Sequence, residues 1–99
     1  MRGFFNILDN SHNQANSLNT AQNTRLDIIG ELDAIIQYET HIAQTNDKFA
    51  QQTLRDIVKE EKLHVGQLFG LLFSLDEESK IEFEKGLKEF NELNNMKDN

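Results

Sequence analysis

Two long runs of apolar residues recur at intervals of three and four, and no proline interrupts either one. In the first, Leu26, Ile28, Ile29, Leu32, Ile35, Ile36, Tyr38 and Ile42 fall mostly at helical spacing. In the second, the stripe is Ala50, Leu54, Ile57, Val65, Leu68 and Leu72. The break between them falls at Asn46-Asp47, two residues that favour a turn. The pattern therefore predicts an all-α chain: two long antiparallel helices, from about residue 20 to the turn and from about Asp47 to Phe73. Thr24, with Asp27 three residues on, is one candidate cap for the first helix. Ser74-Leu75-Asp76-Glu77 ends the second helix and caps a shorter third, which carries Phe83, Leu87 and Phe90 on one face. Lys80–Glu84, Glu82–Lys85 and Lys88–Glu92 decorate the rest of that helix at helical spacing.

The ends read differently. Residues 1–19 are rich in Asn, Ser and Gln, a composition that cannot bury a core, and are expected to form a flexible polar tail. Their exception is the cluster Phe4, Phe5, Ile7 and Leu8, which could dock on a partner. Residues 20–93 form the helical domain, and 94–99 are polar and expected to fray. At 99 residues the chain is one small domain that buries only a modest share of its surface. A hairpin of two amphipathic helices makes a poor core alone, whereas two copies packed together make a four-helix bundle.

Composition narrows the chemistry. There is no cysteine, which excludes disulfides, iron–sulfur clusters, thiolate zinc sites and cysteine nucleophiles. A net charge of −7 disfavours nucleic acid as a partner. The longest apolar stretch, residues 68–73, is far too short to cross a bilayer, and Asn6 and Asp9 interrupt the apolar start that a signal peptide would need. The expectation is a soluble cytoplasmic protein with no membrane contact.

Against this background, charge on the apolar stripes stands out. Glu31 follows Ile28 by three residues and precedes Ile35 by four. Glu61 follows Ile57 by four and precedes Val65 by four, and His64 leaves the same face three residues after Glu61. A carboxylate at a core-facing position costs several kcal/mol unless it is paired or bound to a metal. Residue 46 is the midpoint between 31 and 61, so each glutamate lies fifteen residues from the turn. That is roughly 22 Å along each helix, and folding the hairpin brings Glu31, Glu61 and His64 together.

One Glu from one helix with Glu-x-x-His from another is half of a di-iron carboxylate site. A symmetric dimer would complete it with four Glu and two His. Carboxylate and imidazole ligands suit iron, and also manganese or zinc. The histidine's second ring nitrogen would need an acceptor, which the sequence does not identify. The competing reading makes Glu31, Glu60, Glu61 and His64 ordinary surface or salt-bridged residues beside Lys59 and Lys62.

The block Ile28-Ile29-Gly30-Glu31-Leu32-Asp33-Ala34, with Tyr38-Glu39 and then Lys59-Glu60-Glu61-Lys62-Leu63-His64-Val65-Gly66, resembles the encapsulated ferritins. It is most similar to the ferritin-like domain that some archaeal encapsulins carry at the N-terminus of their shell protein. The likeness runs without gaps from about Ile28 to Leu93, about two-thirds of the chain. It implies a hairpin that dimerises into a ferritin-like four-helix bundle, with five dimers joined in a ring-shaped decamer. It implies a ferroxidase that oxidises Fe(II) to Fe(III) with oxygen, at a di-iron centre built from Glu31, Glu61 and His64 of two subunits. Tyr38 matches a family tyrosine near the centre, and Asp33 an acidic residue on the iron path. The partner implied is an encapsulin shell that holds the mineral, so the location implied is inside a nanocompartment. Two departures are visible. The chain ends Asn94-Asn95-Met96-Lys97-Asp98-Asn99, without the Gly/Leu/Ile-containing targeting peptide of family members. Gly30 replaces an acidic residue found in some of them.

Two other classes of function stand beside this one. One is a different di-metal enzyme, a peroxidase resembling the catalytic domain of rubrerythrins, although the missing cysteines remove the rubredoxin-type iron site those proteins carry. The other is a helical assembly module without catalysis, in which the acidic positions set register. Tyr38 on its own suits core packing with a bonded hydroxyl as well as a redox role, and Asp33 points away from the face of Glu31. His41 is expected to face solvent or a neighbour, and His12 to do nothing specific.

Overall fold

A computed structural model of the chain describes residues 13–97, with the side chains of 13–15 and 17 left aside. Helix α1 spans Asn13–Gln44, α2 Lys48–Leu75 and α3 Glu77–Met96, and no strand occurs among the described residues. Antiparallel α1 and α2 form the long hairpin, and the backbone of α3 packs against α2. The apolar cluster Phe4, Phe5, Ile7 and Leu8, and His12, lie outside the described residues.

The turn falls where the sequence placed it. Residues 45–47 are non-helical, and the Asp47 carboxylate caps α2 by accepting from the backbone N–H groups of Phe49 (2.9 Å) and Ala50 (3.1 Å). Thr45 tightens the connection: its hydroxyl accepts from the Asp47 N–H, and its carbonyl accepts from the Gln51 amide at 2.7 Å. At the other end Asp76 closes α2 through its own N–H to the Leu72 carbonyl (2.8 Å) and opens α3 by accepting from the Ser79 N–H (3.2 Å).

Helix α1 begins at Asn13, seven residues before the expected start near residue 20. Thr24 is accordingly not a cap. It lies mid-helix, 2% exposed, and its hydroxyl donates to the Thr20 carbonyl at 2.8 Å. Ala21, 2% exposed, sits in one cluster with Ile28 and Leu72 and ties this end of α1 to α2. The far end also stays helical to Met96, two residues beyond the expected fraying point at 94.

The core is thin. Ala21, Ile28 and Leu72 form its centre, with Leu68, Phe69, Phe73 and Leu75 partly buried around it. Val58, rather than the Ile57 of the expected stripe, is the buried residue in the middle of α2. The α3 helix is anchored by Phe83, whose ring lies 5.2 Å from Phe69 and 5.1 Å from Phe73, centroid to centroid. A guanidinium ties the same corner: Arg25 of α1 donates to Asp76 Oδ2 at 2.6 Å and to Ser79 Oγ at 2.9 Å. Beyond Phe83 every residue of α3 through Leu93 is exposed.

Candidate metal centre

Each glutamate sits one helical turn from a buried apolar residue of its own helix. Glu31 follows the buried Ile28 on α1, and Glu61 follows the buried Val58 on α2, each by three residues. The Asp47 cap fixes where α2 starts, and with it the depth at which Glu61 returns past Glu31. The result is a convergence: one ligand atom from each of Glu31, Glu61 and His64 lies within 4.8 Å of the others. His64 Nδ1 stands 3.6 Å from Glu31 Oε1 and 3.8 Å from Glu61 Oε2. Their side chains are 25%, 19% and 42% exposed for Glu31, Glu61 and His64, so the group is held at the hairpin yet open on one side.

These separations are too long for direct bonding and lie at or just beyond the upper end of the range for two donors on one ion. Nitrogen and oxygen 3.6–3.8 Å apart are beyond hydrogen-bond range. Two donors each about 2.1 Å from one ion stand roughly 3.0–3.6 Å apart for bond angles near 90–120°. Two carboxylates and an imidazole are also the donor set that first-row divalent metals take. Among the described residues no lysine or arginine neutralises Glu31 or Glu61. Lys62 turns instead to Glu39 at 3.7 Å, and Glu60 is exposed as an ordinary surface residue. Three donors do not fill a metal's coordination shell, and no second imidazole or further carboxylate of the described chain joins this group.

The remaining candidates lie further out. Tyr38 is half-buried on α1, two turns beyond Glu31, and Asp33 is exposed, as is His41. At Gly30 a Cβ would meet nothing within 4 Å, so the backbone leaves room for a side chain there. No acceptor among the described residues engages the second ring nitrogen of His64. The Arg25–Asp76–Ser79 network was not legible as a site in the sequence. Its partners are up to 54 residues apart, and its one local signal is the Asp-x-x-Ser cap itself.

Comparison with known proteins bears on the whole chain. No protein-family model matches it. A ferritin-like–encapsulin shell fusion protein of Pyrococcus furiosus is 44% identical over 69 residues, covering 70% of this chain and 20% of that protein. An encapsulin nanocompartment cargo protein of Myxococcus xanthus is 31% identical over 70 residues, covering 71% of this chain and 54% of that one. The chain thus spans a fifth and about half of the lengths of these two relatives. The crystal structure of the encapsulated ferritin domain from Pyrococcus furiosus superposes with a TM-score of 0.74 at 39% identity, covering 78% of this chain and 79% of that chain. The three-helix architecture, the hairpin turn and the shared sequence agree, and the chain belongs to the encapsulated ferritin family.

Proposed function

We propose that this chain is a ferroxidase half-site. Two copies face each other so that Glu31, Glu61 and His64 of each hold iron between them, and Fe(II) is oxidised to Fe(III) with oxygen. The observation that carries the reading is the convergence of two carboxylates and one imidazole, uncompensated by any cation, on the open side of a two-helix hairpin. The missing donors are what a second copy related by a two-fold axis would bring. Iron supplies the redox chemistry when bound there.

The chain's own groups do the rest. Four carboxylates from two copies balance the charge of two Fe(II) ions, and hard oxygen donors favour the ferric product. Glu31 and Glu61 each stand one helical turn from a buried apolar residue, Ile28 and Val58, which fixes the helix faces that carry them. Tyr38 and Asp33 are proposed to act nearby, Tyr38 beside the centre and Asp33 on the path by which iron approaches. The resident metal is proposed to be iron, with manganese or zinc able to occupy the same ligands. The relatives named for encapsulin shells and cargo support storage of the oxidised product inside an encapsulin compartment. A ring of five dimers is the assembly this reading expects.

The test is the rate of ferric absorbance after air is admitted to Fe(II)-loaded protein. Glu61→Ala and His64→Ala should each slow it by more than about tenfold, since loss even of groups that merely support metal ligands costs 10–100-fold. Both should leave helicity intact. Oxidation at the wild-type rate by both variants would remove the site, and peroxide turnover exceeding oxygen turnover would turn the reading toward a rubrerythrin-like peroxidase.

A further inference from the structure

The seam between α1 and α2 has two flanks, and the metal centre opens on one of them. On the other, toward the turn, the two helices enclose a groove of about 490 Å³ that none of Glu31, Glu61 and His64 lines. At about 100° of rotation per helical residue, Arg55, Lys59 and Lys62 fall within about 60° of one another around the α2 axis, and His64 lies roughly opposite them. A second copy that meets His64 would therefore leave this flank uncovered.

The groove concentrates a charge that the protein as a whole lacks. The chain has a net charge of −7 and ten Lys and Arg residues, and three of those ten line this one groove. Its two carboxylates are already engaged: Glu39 faces Lys62 at 3.7 Å, and Asp56 accepts from the Gln52 amide at 3.0 Å. Arg55 and Lys59 have no acidic partner among the described residues. They stand one helical turn apart, where like charges repel and destabilise the helix that carries them. Beside them the groove is apolar, with Val58 buried and Ile42 half-buried. A concave apolar wall with a few converging charged groups is the usual build of a small-molecule site.

We propose that this groove binds a phosphate group carried on a small apolar body. The Arg55 guanidinium presents paired N–H donors that match two phosphate oxygens, and Lys59 brings a point charge to the same group. Their Cβ atoms, one turn apart, are about 5–6 Å from each other, so both side chains reach one tetrahedral anion. Lys62, shared with Glu39, adds to the field at the end of the groove away from the turn. The apolar body lies on Ile42 and Val58. A phosphate answers two unpaired cations better than a carboxylate does, because it carries close to two negative charges and three acceptor oxygens.

The proposal does not rest on the metal reading, and its variants leave Glu31, Glu61 and His64 untouched. The test is a titration of phenyl phosphate into the full-length protein carrying ¹³C-labelled isoleucine and valine methyls, with inorganic phosphate run in parallel. Saturable shifts are expected at Ile42 and Val58. Phenyl phosphate should bind about tenfold more tightly than inorganic phosphate, because its ring leaves water, and both affinities should fall as salt is raised. Arg55→Ala with Lys59→Ala should weaken phenyl phosphate binding by about tenfold or more while helicity and Fe(II) uptake stay unchanged. Absence of shifts at Ile42 and Val58 in folded protein, equal affinity for the two probes, or binding indifferent to the double substitution would each overturn the proposal. Fe(II) uptake is read in the same samples, so a failed groove and a failed metal centre give different results.

Discussion

Asp76 joins all three helices at one corner. Its carboxylate accepts from the Ser79 hydroxyl and N–H and from the Arg25 guanidinium, and these bonds, Ser79 first, hold its pKa below the usual carboxylate value. A depressed pKa stabilises the fold wherever the carboxylate is charged. The contribution is fully present above the unfolded value of about 3.9 and is lost as pH falls through the lower folded value. Asp76→Asn should therefore melt several degrees below wild type at pH 7, and the difference should close as both are taken to pH 2. Thermal melts across that range check it, and a pH-independent difference would contradict it. At this scale Glu31, Glu61 and His64 were legible in the sequence because helical spacing and two equal arms about one turn suffice to bring them together. Arg25 was not, because its partners lie 51 and 54 residues away and depend on the angle at which α3 leaves α2.

At the scale of the element, α2 carries two loads of different size. Leu72, 4% exposed, packs against α1 through Ala21 and Ile28, whereas Phe83 fastens α3 alone to the Phe69–Phe73 pair. Leu72→Ala should destabilise the whole hairpin by about 2–4 kcal/mol. Phe83→Ala should release α3 and leave the hairpin in place. Hydrogen exchange separates the two outcomes: faster exchange throughout α1 and α2 for the first, and within residues 77–96 only for the second. Elements were legible where apolar periodicity was strong, as in α2, and poorly legible at the start of α1. There Asn, Gln and Ser give no periodic signal from which the extra turns could be read. One α1 stripe also proved to be two faces. Ile28 turns inward, while Leu26, Ile29, Leu32 and Ile36 remain exposed, a division that a single helical repeat does not reveal. Of the three charge pairs expected on α3, only Lys85–Glu82 forms, at 3.3 Å, as befits exposed long side chains with little to gain from pairing.

The described residues form an open body rather than a sphere. Its radius of gyration is 18.2 Å, where a compact chain of this length has about 13 Å. It exposes 7835 Å², against about 5,800 Å² for a monomer of its mass. Such a shape leaves large apolar surfaces uncovered, which is what a subunit of a larger assembly would show. No helix of the described residues is long and apolar enough to cross a membrane. The central claim is that Glu31, Glu61 and His64 are half of an iron site completed by a second copy. An anaerobic Fe(II) titration of the purified protein, with mass followed in the same samples, tests it most directly. The account predicts saturation near about one iron per chain in an assembly of at least two chains, abolished by His64→Ala. Weak, unsaturating uptake that is the same in wild type and His64→Ala would contradict it.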